Sequence, residues 1–463
     1  MSFNLRSLFS GLDEPFPTAD GQFKPYINFD NAASTPPFQA VAGIVQAYLP
    51  WYSSVHRGTG LKSQVSTELY DYIHREVLSF VGGDPGPEVA VFGKNATEAI
   101  NIAACRFNLK KDDIVLVTLL EHHSNLLPWR ARARVKTIRV TPKGGVDLNH
   151  MEDLLRRYRG GIKLAAVTGA SNVTGIMPEI HEAARLAHRY GAKILVDAAQ
   201  LIPHRKIDVR PFDDPGHLDF LVFSAHKMYA PFGTGVLVAP RDFLESRPPE
   251  YVGGGTVRYV LGKEIVFSKS PEKDEAGSPN VLGALALWQA MRIYQKTGYP
   301  AVEAHEKKLL RYALDKLSRL SFIKIYGDLN PFSRLGVISF NMDDAPHGLV
   351  ASVLGGEAGI GVRNGCFCAQ PYVAKLLGLT SRDLKKMEEE IYAGGRDLPG
   401  MIRISFGMYN TLEEIDCFLE WLMEIRNRIS RGLYRGKYVL NRETGLYYIP
   451  ERRLKPEAFF PAT

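Results

Sequence analysis

The stretch DFLVFSAHKMYAPFGTG, residues 219 to 235, decides how the chain is read. An apolar run passes directly into Ser224, His226 and Lys227, then into a loop marked by Pro231, Gly233 and Gly235. Continuous apolar runs of this length suit a strand buried on both faces. A lysine at the end of such a strand is a hydrated ammonium that is seldom buried without a partner or a task. Taken alone, Lys227 could equally carry its charge out to solvent along its stem.

The same unit recurs upstream. EVAVFGKNATEAINIAACRF predicts a strand to Phe92 and a helix from near Thr97 or Glu98, and DDIVLVTLLEHHSN predicts a strand ending in a histidine pair. IKLAAVTGASNVTG and AKILVDAAQ are two further strands, separated by the helix pattern PEIHEAARLAHRY, which stops at Gly191. Apolar runs alternating with helices predict an α/β fold with a large, mostly parallel sheet covered on both faces. Beyond about residue 285 the texture changes to long helical patterns around the apolar run GVISFNM (336 to 342). TLEEIDCFLEWLMEIRNRISRG predicts a helix with a capping box from Thr411 and Glu414 and a stop at Gly432. The expected division is an N-terminal segment (1 to 27), a large α/β domain (28 to 290), a smaller α+β domain (291 to 430) and a C-terminal extension (431 to 463) whose sequence reads as irregular or hairpin-like.

With 463 residues the chain exceeds what one core usually organises. Its 45% hydrophobic and 23% charged residues are those of an ordinary soluble protein, without an apolar run able to cross a bilayer. The first fifteen residues, MSFNLRSLFSGLDEP, read as no export signal, and a cytoplasmic address is expected. A formal charge of +7 is modest at this length, so nucleic acid is not an expected partner. The four cysteines, at 105, 366, 368 and 417, form no plausible disulfide framework. Cys105 and Cys417 lie in apolar helix patterns and read as core packing; Cys366 reads as a small half-buried residue, with a sulfur relay or a metal held with Cys368 as the alternatives, and CxC without a second ligand pair is a weak metal signal.

In open α/β sheets ligands bind beyond the carboxyl ends of the strands. Each predicted strand delivers polar residues there: Asn95 and Thr97, His122 and His123, Ser171 and Asn172, Asp197 and Gln200, then Ser224, His226 and Lys227. Individually each has a bland reading: Thr97 near a helix cap, His123 in the core, Asp197 paired with an arginine. Together they supply an amine for a Schiff base, an acid for a ring nitrogen, an anion cradle at a helix start and a flat group to stack, which fits pyridoxal 5′-phosphate.

At these residues the chain resembles the class V, fold-type I pyridoxal-phosphate enzymes, and most closely the SufS-type cysteine desulfurase and selenocysteine lyase group. The likeness runs from YINFDNAASTPP (26 to 37) through SSVHRGTG, NATEAIN, EHHSNLLPW, VDAAQ, FSAHK and RNGCFCAQP to ISFGMYNT (404 to 411). It implies that Lys227 holds the cofactor as a Schiff base, that Asp197 faces the ring nitrogen, that Gln200 bonds the phenolic oxygen and that His123 stacks on the ring and serves as an acid or base. Ala96, Thr97, Ser224 and His226 would hold the phosphate, joined by Ser278 from a second subunit of a homodimer. Asn172, Arg363 and Arg403 would bind the substrate, and Cys368 would be the catalytic cysteine that takes sulfur from L-cysteine, leaving L-alanine and a persulfide. The resemblance further implies a protein sulfur acceptor and a role in iron-sulfur cluster or other sulfur-cofactor assembly, with L-selenocysteine as an alternative substrate. Two departures stand out: Cys366 and Phe367 replace the family's usual histidine pair, and the segment from Tyr372 to Gly400 is long, with a charged helix LKKMEEEIY placed to cover the site. Rival readings are a class V aminotransferase, epimerase or lyase, and a non-catalytic sulfur-transfer scaffold.

Overall fold

A computed structural model of the chain describes residues 4–19, 21–392, 399–442 and 446–450. Its centre is a seven-stranded sheet in the order Glu88–Gly93, Gly235–Pro240, Phe220–Ser224, Lys193–Asp197, Ile162–Thr168, Ile114–Thr118, Arg134–Ile138. Gly235–Pro240 runs antiparallel to both neighbours, and the other six strands are parallel. Alternate residues serve opposite faces, as the two-residue period of a strand requires. Ala165, Val167, Ile194, Val196, Leu221 and Phe223 pack on one side against Leu61–Phe80 and Val281–Thr297. Leu164, Ala166, Leu195, Phe220 and Val222 pack on the other against Ala96–Arg106. Covering both faces is why these strands read as unbroken apolar runs.

The second sheet is antiparallel, in the order Ile323–Tyr326, Val337–Met342, Met401–Ser405, Arg363–Gly365. Helices Tyr299–Ser318 and Leu412–Ser430 cover it with Leu309, Leu310, Ile415, Phe418 and Leu422. The expected capping box is present: the Glu414 amide donates to Thr411 Oγ1, and the Thr411 amide donates to Glu414 Oε2. The N-terminal segment joins this part through Ile27–Asn28, which pairs with Ile360–Gly361, and Phe29 enters the second core. At the other end Val439–Asn441 and Leu446–Tyr448 form an antiparallel hairpin; the tail from 451 onward lies outside the described residues.

Two strands end earlier than expected. Phe220–Ser224 stops at Ser224, paired with Gly235, and Ala225–Lys227 is a 3₁₀ turn whose first amide bonds the Thr234 carbonyl. Ile114–Thr118 stops four residues before the histidine pair, because Thr118 Oγ1 accepts the Leu120 amide and turns the chain. Lys227 and His123 therefore sit on short turns beyond the sheet edge, where the backbone can aim them.

Glu306 ties the two parts together. It is buried, and its carboxylate meets His204 Nδ1 at 3.1 Å, Arg205 at 2.6 Å and the Gly336 amide at 2.5 Å. Burial alone would raise its pKa, but these partners prevail and hold it down at about 2. Its contribution to stability is thus fully present above the ordinary value of 4.5 and is lost as pH falls toward 2. Glu306→Gln is expected to lower the unfolding free energy by about 3–5 kcal/mol near pH 7, because it leaves Arg205 without its buried partner. Urea unfolding measures this, and the gap to the unsubstituted protein should narrow as the pH is lowered below 4.5.

Candidate active site

A cavity of about 320 Å³ opens at the carboxyl edge of the large sheet, facing the second sheet. Lys227, Asp197, Gln200, Ser224, His226, Ala96, Thr97, Asn172, Arg363, Arg403 and Cys368 all line it. Asp197 is the last residue of its strand and is buried, with its Oδ1 accepting the Ala199 amide at 3.0 Å. Burial raises its pKa while Lys227 opposes the rise. Burial likewise lowers the Lys227 amine to about 8, with Asp197 pulling the other way and Arg403 adding to the fall. An amine so depressed is available as a nucleophile and proton carrier near neutral pH.

The helix Ala96–Arg106 begins at Ala96, one residue before the expected start, because Asn95 caps it by accepting the Glu98 amide at 3.0 Å. Ser224 Oγ accepts the Ala96 amide at 2.7 Å and fixes this helix end to the sheet. Thr97 Oγ1 meets Ser124 Oγ at 2.7 Å, and Gln200 Nε2 donates to the Ala32 carbonyl at 2.7 Å. The result is a helix N-terminus with its dipole, hydroxyls and an imidazole around one end of the cavity, suited to an anion.

The histidine pair divides. His122 lines the cavity, and its Nδ1 accepts the Ser124 amide at 3.1 Å. His123 does not line it: its amide donates to the Cys368 carbonyl at 2.6 Å, and its Nε2 accepts the Gln370 amide at 3.3 Å. Burial, then Lys227, pushes both His122 and His226 down to about 4, and burial also lowers His123. Between that value and the ordinary 6.5 the unfolded chain binds more protons than the folded one, so stability is lost as the pH falls through this window. The melting temperature is expected to drop from pH 7 to pH 5, and the pair His122→Gln, His226→Gln should flatten that slope.

At the opposite wall Arg403 is buried, and burial lowers it to about 10. It donates to the Asn172 carbonyl at 2.9 Å and to Asp30 at 3.1 Å, while half-exposed Arg363 reaches the other Asp30 oxygen at 2.7 Å. Arg403 Nε and Asn172 Oδ1 are buried and have no hydrogen-bond partner among the described residues. Both residues line the cavity, and a guanidinium beside a carboxamide suits a small molecule that carries a carboxylate, such as an amino acid. Cys368 stands exposed at the rim on a turn in which both Phe367 and Cys368 have positive φ, 53° and 52°.

Some expected residues lie elsewhere, and others were not anticipated. Ser278 lines two separate cavities, one with His56 and Arg57 and one with Tyr70 and Lys94. No described residue of the helix Ser381–Tyr392 lines the active-site cavity. Cys105 is not core packing: its thiol donates to Glu250 at 2.6 Å and accepts from Arg132 at 2.8 Å, because its helix face is open to solvent there. Cys417 and Cys366 do pack, half-buried, against apolar clusters. The missed residues are Asp30, which clamps both arginines, and Glu121. Glu121 is fully enclosed and accepts from Thr118 Oγ1, Asn125 Nδ2 and the Thr168 amide at 2.6, 2.7 and 2.8 Å, and burial raises it to about 8. An acid directly after the largely apolar run IVLVTLL was the available signal.

The chain is similar to several known proteins. A probable cysteine desulfurase of Halalkalibacterium halodurans is 34% identical over 416 residues, covering 88% of this chain and 95% of its own. The apo structure of a cysteine desulfurase from Thermococcus onnurineus NA1 superposes with a TM-score of 0.76 at 32% identity, covering 86% of this chain and 94% of that one. The cysteine desulfurase CsdA from Escherichia coli gives 0.74 at 28% identity, covering 91% and 98%. The family model for class-V aminotransferases matches residues 27–418, which takes in both sheets and every wall of the cavity; the chain belongs to the class-V aminotransferase family.

Proposed function

We propose that the chain is a pyridoxal-phosphate-dependent cysteine desulfurase that converts L-cysteine to L-alanine and leaves a persulfide on Cys368 for transfer to an acceptor protein. The observation that carries this reading is an exposed cysteine on a positive-φ turn at the rim of a cavity whose floor is a half-buried lysine and a buried carboxylate. The class-V family generally uses pyridoxal phosphate, and the residues fit that group. Lys227 would hold its aldehyde, Asp197 its ring nitrogen and Gln200 its phenolic oxygen, with the His122–His123 turn on one side of the ring. Ala96, Thr97, Ser224 and His226 would take the phosphate, with Ser278 supplied by a second copy. When bound, the cofactor supplies an electron sink that makes the substrate carbons acidic and electrophilic.

The chain's own residues do the rest. Arg403 and Asn172, which line the wall opposite the helix start, receive the amino-acid portion of the substrate, the guanidinium taking its carboxylate. Lys227, with its amine lowered to about 8, moves protons at the substrate carbons. The Cys368 thiolate attacks the substrate sulfur: the S–S bond forms, the C–S bond breaks, and its electron pair stays on the substrate Cβ, which then takes a proton to become the alanine methyl.

The division into 1–27, 28–290, 291–430 and 431–463 is retained as the working domain assignment. A homodimer is supported by the hairpin Val257–Leu261 and Glu264–Phe267, which exposes Tyr259, Val260, Leu261 and Ile265 close in sequence to Ser278. Among the described residues no helix is long and apolar enough to cross a membrane, and the cytoplasm is the proposed address. Purified protein loaded with pyridoxal phosphate and given L-cysteine should form alanine and protein-bound persulfide in equal amounts in the first turnover. Alanine without label on Cys368, or a keto acid instead of alanine, would refute the assignment.

A further inference from the structure

We infer that Phe367 is a positioning residue for the carboxylate grip and the nucleophile together. It occupies a position where the sequence departs from the usual histidine, and the structure gives it three attachments. Its ring is buried in a satellite core with Leu120, Val173, Tyr326, Tyr372, Val373 and Met401. The guanidinium of Arg403 lies over that ring, 5.0 Å from its centroid. Its carbonyl accepts Asn172 Nδ2 at 2.7 Å. Phe367 thus touches Arg403 and Asn172, both of which line the cavity, and immediately precedes Cys368.

The backbone adds to the argument. A phenylalanine at φ 53° followed by a cysteine at φ 52° is an unfavoured pair of left-handed conformations, held only if the surroundings over-determine them. The buried ring and the Asn172 bond are what hold it, together with the His123 amide on the Cys368 carbonyl. A planar cation over an aromatic face is attracted by the ring quadrupole, most strongly where water is excluded. Arg403 is accordingly held by Phe367 on its face and by Asp30 and the Asn172 carbonyl on its edge.

The proposal rests on the desulfurase reading for its substrate but not for its geometry, and the test separates the two. Phe367→Leu keeps the apolar filling and removes the ring; Phe367→Tyr keeps the ring. In the holoenzyme, Phe367→Leu is expected to raise the KM for L-cysteine and the dissociation constant of L-alanine about tenfold. Phe367→Tyr should stay within about twofold of the unsubstituted enzyme. Independently of any turnover, the rate at which iodoacetamide alkylates Cys368 should change at least severalfold in Phe367→Leu and little in Phe367→Tyr. A merely structural role would lower kcat or the melting temperature and leave KM and the alanine constant unmoved, which would overturn the inference. An unchanged alkylation rate in Phe367→Leu would also overturn it. Altered alkylation in an enzyme that does not accept cysteine would uphold the positioning role and refute the desulfurase reading instead.

Discussion

Lys227→Ala is expected to purify as a folded protein that binds pyridoxal phosphate weakly, lacks the visible absorbance of a lysine-bound cofactor and forms no measurable alanine from cysteine. Loss of proton transfer alone costs roughly 10²–10⁴-fold, and loss of the covalent hold adds to this. The structure explains why no neighbour substitutes. His122 and His226 are held neutral, down at about 4, so they offer no primary amine and no proton to donate near pH 7. Arg403 faces the same cavity but remains a guanidinium, lowered only to about 10, and is engaged by Asp30 and the Asn172 carbonyl. Lys227→Arg should fail as completely, since a guanidinium does not give up its proton to become a nucleophile. The fold should tolerate either change to different degrees. Removing the lysine takes away the charge that opposes the burial-driven rise at Asp197, so that acid becomes easier to protonate and sheds its buried charge. Absorbance spectra, urea unfolding and alanine assays on both variants check the three statements; visible cofactor absorbance retained in Lys227→Ala would contradict the assignment of this lysine.

Much of this site was legible because strand ends are legible. FLVFS, KILVD and IKLAAVT are unbroken apolar runs, and only a sheet covered on both faces makes such runs, so the polar residue that follows each run must lie along one edge. What could not be read is what depends on turns folding back and on distant segments meeting. Asp30 lies 373 positions from Arg403, and its clamp on Arg363 and Arg403 follows from Asp30 bridging to Ser405, a contact that no local pattern encodes. Which of His122 and His123 lines the cavity depends on the turn after Thr118, which no local pattern encodes. Cys105 sits in an apolar-looking helix, yet the residues that decide its environment, Arg132 and Glu250, come from two other loops. Ser278 lines two cavities apart from that of Lys227, and the place proposed for it on the phosphate depends on a second copy of the chain.

Cys368→Ser separates the cofactor site from the chemistry assigned to it. The substitution leaves every attachment of the turn intact: the Cys368 carbonyl still accepts the His123 amide, and Phe367 still carries Asn172 and Arg403. Visible absorbance, the alanine-induced spectral change and the melting temperature should therefore match the unsubstituted enzyme. Sulfur removal should fall by at least about 10²-fold, because a serine hydroxyl is not ionised near neutral pH and forms no persulfide, whereas a thiol is partly ionised there and highly nucleophilic. Cys366→Ser is the internal comparison. Its thiol is half-buried against the satellite core and is absent from the cavity wall, so activity should stay within about twofold, with the small stability cost of a surface-like change. If the two outcomes were exchanged, the persulfide would belong on Cys366, and the turn would have to open enough to bring that residue out of its apolar packing. If both variants retained sulfur removal, the cavity would be splitting cysteine without a thiol nucleophile, as a lyase does. The resting geometry favours neither alternative, since of the two sulfurs only that of Cys368 is both exposed and at the rim above Lys227.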